Sequence, residues 1–210
     1  MRRITKSNAP EVLSQNFAEW TVAYLADPQN STKKYRYRHP DIKAALKQET
    51  ADKCVYCESK IGHNTPGDVE HMTPSSVDAQ LHFAWDNLTI ACTECNRRKN
   101  DYFDAQKPFL SPYADTVEDR LVHLGPLVSW QPGDDVAEIT VRILELNEMS
   151  RRALIARKIE KIDELNNTVA RLRSSDPIIR ELMALKVQKM KALGAEYSGM
   201  IRSICETYSV

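Results

Sequence analysis

Residues 54–101, CVYCESKIGHNTPGDVEHMTPSSVDAQLHFAWDNLTIACTECNRRKND, decide how the rest of the chain is read. Two Cys-x-x-Cys pairs bracket the stretch, Cys54/Cys57 and Cys92/Cys95, with 34 residues between them. Each pair aims two thiolates at one point from a tight turn. Two pairs complete a tetrahedral four-sulfur shell, which suits zinc in a closed structural site. The interval is longer than a compact zinc ribbon needs and leaves room for a loop and a hairpin between two zinc knuckles. A structural zinc contributes folding free energy directly, on the order of 10 kcal/mol or more in small metallo-domains. Redox dithiols or ordinary buried cysteines are the alternative, against which two matched pairs argue.

Between the pairs, Gly67–His71 reads as the first strand of a hairpin and Asp86–Ala91 as the turn into a second. Thr93–Asn100 reads as a short, polar and basic helix held at its start by Cys92 and Cys95. Adjacent strand residues point to opposite faces, so Glu70 and His71 can do different jobs unless the strand bends there. Asn96 falls in the first turn of the helix. A lone Glu-His pair would mean little; its weight here comes from the frame around it.

Together, Glu70-His71, Asn87 and Asn96 inside Cys-x-x-Cys-Asn-x-x-Lys resemble the HNH (His-Me finger) endonucleases. The resemblance implies a strand-strand-helix catalytic core binding one divalent cation, Mg2+ or Mn2+. By the family pattern His71 is the general base that activates a water, Glu70 and Asn96 are the cation ligands, and Asn87 pins the loop and orients His71. Two positions depart from the commonest pattern. Glu70 stands where Asp is more frequent, and Asn96 stands where many members have a third His. Both are oxygen ligands, which fit magnesium better than zinc. The residue types suit phosphodiester hydrolysis, which needs an activated water, a cation on the scissile oxygens and stabilisation of the leaving oxygen. Histidine, with an ordinary pKa of about 6.5, can take a proton near neutral pH.

Lys99, Arg97 and Arg98 share the short helix and can pair with flanking phosphates. His63 and His82 lie in the loop between the knuckles, where each is a substrate contact, an added ligand or a loop histidine without a role. Trp85 is read as core rather than as a base-stacking platform.

Outside this stretch, the 210 residues are enough for one compact domain with appendages or two small ones. Charge is balanced, 29 basic against 29 acidic, so net charge gives no argument for nucleic acid and any basic surface must be local. Four of the five cysteines belong to the metal frame and Cys205 is left over, which fits a reducing compartment. No apolar run is long enough for a membrane span, and no hydrophobic segment follows the charged Met1–Lys6. A soluble cytoplasmic protein is expected, with no membrane partner.

Asn8-Ala9-Pro10-Glu11 is a helix start, with Leu13, Phe17, Trp20 and Tyr24 on one face and Asp27-Pro28 as the stop. The run Ser31–Arg38, STKKYRYR, interleaves basic residues with two tyrosines. Lys33, Lys34, Tyr35 and Arg36 can bind phosphate and stack on bases, or the run is a solvated loop before a helix. A second helix runs from Pro40 to about Glu49, with Ile42, Ala45 and Leu46 inward.

Beyond Asp101, Lys107–Tyr113 carries two prolines and reads as an extended connection. Leu127–Trp130 and Ile139–Ile143 are strand-like, and Gln131–Asp135 between them is a turn signal, predicting a β-hairpin. Ser150 to about Leu172 is a long helix with a narrow seam of Ile155, Ile159, Ile162, Leu165, Val169 and Leu172. Asp176-Pro177 starts another, with Ile179, Met183, Val187 and Met190 along one side. A last short helix carries Tyr197, Ile201, Ile204 and Tyr208. The two longer helices are expected to form an antiparallel hairpin.

The predicted fold class is therefore α+β: a zinc-stapled strand-strand-helix core with N-terminal helices, an extra β-hairpin and a C-terminal helical hairpin. The segments are 1–50, 51–113, 114–148 and 149–210. The layout over roughly residues 35–165 also resembles a narrower group, the PtuB-type HNH subunits of Septu and retron-linked bacterial anti-phage systems. That resemblance implies an ATPase partner of the PtuA type, and products with 5′-phosphate and 3′-hydroxyl ends. No Gly-x-x-x-x-Gly-Lys phosphate loop occurs in the chain, so ATP dependence would have to come from that partner. The expected activity is metal-dependent endonuclease, on DNA in preference to RNA. A zinc-stabilised nucleic-acid or partner-binding module with a non-catalytic site is the alternative.

Overall fold

The computed structural model describes residues 1–62 and 67–209; His63 lies outside the described residues. Helix α1, Glu11–Ala26, starts after Pro10 and buries Leu13 and Tyr24, while Phe17 on the expected face stays 41% exposed. The STKKYRYR run is not a loop. It forms a helical turn α2, Ser31–Lys34, followed by a 3-10 turn, Tyr35–Arg38. The Asn30 side chain caps α2 by accepting from Lys33 N–H. Helix α3, Pro40–Glu49, has proline in its first turn and buries Ile42 and Leu46, as the sequence predicts.

Strands β1, Asp68–His71, and β2, Leu88–Ala91, pair antiparallel with Asp68 opposite Ala91 and His71 opposite Leu88. The expected ββα core is completed by α4, Thr93–Lys99, whose start is capped by the Cys92 sulfur accepting from Cys95 N–H. Gly67 enters β1 at φ +68°, a conformation that favours glycine, and a Cβ there would also push on the tip of the Ile61 side chain at 2.9 Å. Val55 N–H donates to Ile90 carbonyl oxygen, which fastens the first knuckle to β2.

The extra hairpin differs from expectation. A short helical turn α5, Val117–Arg120, leads into β3, Leu121–Leu124, which pairs with β4, Leu127–Trp130. The turn is Leu124-Gly125-Pro126-Leu127, with Gly125 at φ +62°. Ile139–Ile143 is not a strand; it lies in α6, Asp135–Ile143. Asp134 caps that helix through Ala137 N–H while also accepting two bonds from Arg120. Ala137, Thr140, Val141 and Leu144 are buried at helical spacing, which outweighs the β-branched alternation.

Helix α7, Arg152–Arg171, follows a 3-10 turn, Met149–Arg151, and pairs with α8, Pro177–Lys191, where Lys186 reaches Glu164 at 3.2 Å. The expected seam of α7 holds over its second half, where Ile162, Leu165, Val169 and Leu172 pack against the core, and shifts at its start. Leu154, Lys158, Leu165 and Thr168 are buried, and Ile159 is exposed. The shift places Lys158, not Ile159, against the core. Helix α9, Ser198–Thr207, packs Met200, Ile201 and Cys205 inward. Among the described residues no helix is long and apolar enough to cross a membrane.

Candidate active site

The metal frame assembles as the spacing predicts. The sulfurs of Cys54, Cys57, Cys92 and Cys95 all lie within 4.8 Å of one another, and Cys57 and Cys92 sulfurs are 3.8 Å apart. A tetrahedral tetrathiolate with Zn–S bonds of about 2.3 Å has edges of about 3.8 Å, so the cluster has the dimensions of a zinc shell. Four thiolates around a divalent cation leave two negative charges, and the chain places two cations beside them. The Arg151 guanidinium donates to Cys95 sulfur at 3.5 Å and to Leu144 carbonyl oxygen. Lys158, pulled down to about 8 by burial, donates to Pro126 carbonyl oxygen and faces Cys57 and Glu58. Neither residue stands out in the sequence, although an Arg-rich turn followed by a lysine on the inward face of a helix is a recognisable signal. Because Cys92 caps α4 and Cys95 lies inside it, the cluster fixes the helix that carries Asn96 against β1.

His71 ends β1. Its Nε2 lies 2.9 Å from the backbone oxygen of His82, and a carbonyl only accepts, so Nε2 carries the proton. Burial first, and the neighbouring His82, push His71 down to about 4, so the ring is neutral through the physiological range. Nδ1 is then the basic nitrogen, with no partner among the described residues. Two aromatic rings hold the imidazole in place. It stacks on His82 at 4.8 Å and 11°, and Tyr37 meets it edge-on at 4.7 Å.

Asn87 closes the loop that supplies these contacts. Its Oδ1 accepts from Thr73 N–H at 2.7 Å, and its Nδ2 donates to the carbonyl oxygens of Thr73 and Leu81. The residue is buried, and its own carbonyl oxygen accepts from Met72 N–H. One side chain thus ties both ends of the 72–82 loop to the start of β2.

Glu70 is buried on the neighbouring register position. Lys99 Nζ sits 2.6 Å from its Oε1 and also donates to His71 carbonyl oxygen at 2.9 Å. Burial raises the Glu70 carboxyl and Lys99 pulls against that rise. Lys99 is 1% exposed and so does not present itself to a phosphate, contrary to the expectation from its place in a basic run. Arg98 is likewise occupied, by Glu94 and by Glu145 at 2.9 Å, and its side chain is almost fully covered. Arg97 is the one of the three that stays solvent-facing.

A cleft of about 470 Å³ brings Glu70, His71 and Asn96 together with Lys34, Tyr37 and Ser75. The residues expected to meet substrate on the Ser31–Arg38 run fare unequally. Lys34 lines the cleft; Tyr35 is exposed, with Arg38 stacked on it at 4.3 Å. Lys33 faces Asp27 at 3.4 Å, and Arg36 lies near Glu19 and over the Trp20 ring. Tyr37, the second tyrosine of the run, is the one that meets both His71 and His82. Trp85 does pack as core, donating to Ser7 carbonyl oxygen with Lys6 over its ring. The donor set of Glu70 and Asn96, all oxygen, at the floor of a polar cleft is the chemistry that a hard divalent cation takes.

Residues 54–102 match the family model described as HNH endonuclease. The chain is also similar to two Septu proteins PtuB. It is 30% identical to the one from Bacillus thuringiensis over 79% of this chain and 64% of that relative. It is 25% identical to the one from Bacillus mycoides strain KBAB4 over 59% of this chain and 54% of that relative. The matched region therefore spans less than two thirds of either relative.

Proposed function

We propose that the chain is a divalent-metal-dependent HNH endonuclease that hydrolyses phosphodiester bonds, with DNA the favoured substrate. The observation that carries the reading is the commitment of His71 Nε2 to a carbonyl oxygen, which leaves Nδ1 as a neutral base in a cleft shared with Glu70 and Asn96. In this reading Nδ1 removes a proton from the attacking water, and the His82 carbonyl oxygen stabilises the imidazolium that forms. Asn87 keeps the loop, and with it that carbonyl, in place. Lys99 opposes the rise that burial imposes on the Glu70 carboxyl and so favours its ionised form. A Mg2+ or Mn2+ ion held by Glu70 and Asn96 would polarise the phosphoryl group and stabilise the leaving oxygen. Lys34, Tyr35, Arg36 and Arg97 would flank the backbone of the nucleic acid, with Lys33 beside them. The four cysteines would hold a structural zinc that contributes no open coordination position.

Similarity to Septu proteins PtuB supports a place in bacterial anti-phage defence, in the cytoplasm, beside an ATPase partner of the PtuA type. The test is direct. The purified chain is incubated with plasmid DNA and with RNA, with Mg2+ or Mn2+ and with a chelator, alone and with a co-purified partner. Chelator-sensitive cleavage supports the proposal. Tight binding of nucleic acid without cleavage under every condition would make the chain a binding module instead.

A further inference from the structure

His82 is 1% exposed, in a 3-10 turn, Ala79–Phe83, that leads into β2. Its ring is sandwiched between two others. Tyr24 of α1 stacks on one face at 4.0 Å and 14°, and His71 stacks on the other at 4.8 Å and 11°. Tyr37 stands edge-on to both histidines, at 5.1 Å from His82. The hydrogen bonds run in one direction. Lys34 carbonyl oxygen can only accept, so His82 Nε2–H donates to it at 2.8 Å. Nδ1 is then the acceptor, and the Ser75 hydroxyl donates to it at 2.6 Å. The His82 carbonyl in turn accepts from His71 Nε2–H. Both ring nitrogens of His82 are spent inside the protein, so it is neither a cation ligand nor a second base.

We propose that His82 is a positioning residue whose side chain holds the base His71 in register with the basic Ser31–Arg38 segment. The chain of contacts is continuous, from the Lys34 backbone to the His82 ring and from the His82 ring and carbonyl to the His71 ring. The Lys34 carbonyl fixes the Nε2–H tautomer of His82, and the Ser75 hydroxyl donates to the remaining Nδ1 and seats the ring. Without the Ser75 hydroxyl His82 Nδ1 loses its partner and the ring is held at one nitrogen only, and without the His82 imidazole the Lys34 carbonyl loses this donor as well. The stacked face then no longer fixes the His71 ring. Lys34, Tyr37, Ser75, His82 and His71 all line one cleft, so a shift in this array moves the base relative to whatever the segment holds.

The inference rests on the reading of His71 as general base, and its test separates the two. His82→Phe keeps an aromatic ring in the stack but removes both hydrogen bonds. Ser75→Ala leaves the core intact and removes only the hydroxyl that seats the His82 ring. Ring 15N NMR of His71 in the chelated protein reports its tautomer without any need for activity, and single-turnover cleavage of a DNA duplex reports rate and affinity. In the parent protein His71 shows one species, protonated at Nε2. In both variants a mixture of tautomers appears, and the turnover rate falls toward the roughly 10²-fold loss that small misplacements cause, with DNA affinity unchanged. Tautomer mixing in variants of a parent that never cleaves would keep the positioning role and reject the base. An unaltered His71 signal and unaltered rate in Ser75→Ala would overturn the proposal, whether or not His82→Phe folds.

Discussion

Lys99→Met removes a charge from the least accessible ion pair of the site. Lys99 and Glu70 side chains are 1% and 6% exposed, their atoms are 2.6 Å apart, and the lysine also serves the His71 carbonyl oxygen. Removing one partner of a buried pair strands the other, which costs about 3–5 kcal/mol. Methionine fills most of the vacated volume, so packing loss adds little. The double variant Glu70→Gln/Lys99→Met strands no charge and should recover much of the loss, giving a coupling energy of about 2 kcal/mol or more in the cycle. Urea unfolding followed by tryptophan fluorescence measures all four corners, in chelator and again in Mn2+. Because Glu70 freed of Lys99 binds a cation more tightly than the ion-paired carboxylate does, and only the folded state binds it, Mn2+ should narrow the gap between Lys99→Met and the parent. The reasoning is refuted if Lys99→Met keeps parental stability and instead loses salt-dependent affinity for DNA. That outcome would return Lys99 to the phosphate-facing role its place in the basic run suggests.

Cys92→Ala takes one sulfur from the cluster and the cap from α4 together, so it should lose zinc and cooperative folding; full zinc content with an unchanged melting temperature would contradict this. Asn87→Ala leaves Thr73 N–H and two carbonyl oxygens without their partner, at about 1–3 kcal/mol for each group that water does not reach, so a total near 3 kcal/mol and faster hydrogen exchange at Thr73 are expected. Acid should destabilise the fold early. Burial holds His71 at about 4 and His123 at about 3 in the folded chain, while both bind protons near pH 6.5 when unfolded. The unfolded state therefore takes up more protons as pH falls below about 6.5, and each group removes up to about 1.4 kcal/mol per pH unit until its folded value is reached. His123→Phe should flatten the slope of the urea midpoint between pH 7 and 5, and an identical slope in parent and variant would reject the assignment.

The parts of this site that were legible in the sequence are those whose cause is local. Cys-x-x-Cys spacing, the strand-turn-helix run and the order of Glu70, His71, Asn87 and Asn96 all lie within one stretch, and they assemble as their spacing implies. What was misread depends on distant partners. The basic run Arg97-Arg98-Lys99 looks phosphate-facing until the fold brings Glu145 to Arg98 and Glu70 to Lys99. The apolar seam of α7 shifts at its start because the tetrathiolate and the Pro126 carbonyl reward a buried Lys158 over a buried Ile159. Ile139–Ile143 carries β-branched residues in alternation, but the Asp134 cap and the inward Ala137, Thr140, Val141 and Leu144 settle it as helix. The cap was visible in the sequence, and the turn signal just before it was read as closing a hairpin rather than opening a helix. The role of His82 could not be read at all, since it depends on Tyr24, Lys34 and Ser75 arriving from three other segments.

The central claim is that His71 is the base of a metal-dependent phosphodiesterase. The measurement is single-turnover cleavage of plasmid DNA by the parent and by His71→Ala, purified with matched zinc content and matched circular dichroism, in Mg2+ and in Mn2+, with partner present in both. The account predicts a loss of about 10²–10⁴ in rate for His71→Ala with DNA binding retained, and no cleavage by either protein in chelator. Cleavage by His71→Ala at the parental rate, or by the parent in chelator, would contradict it.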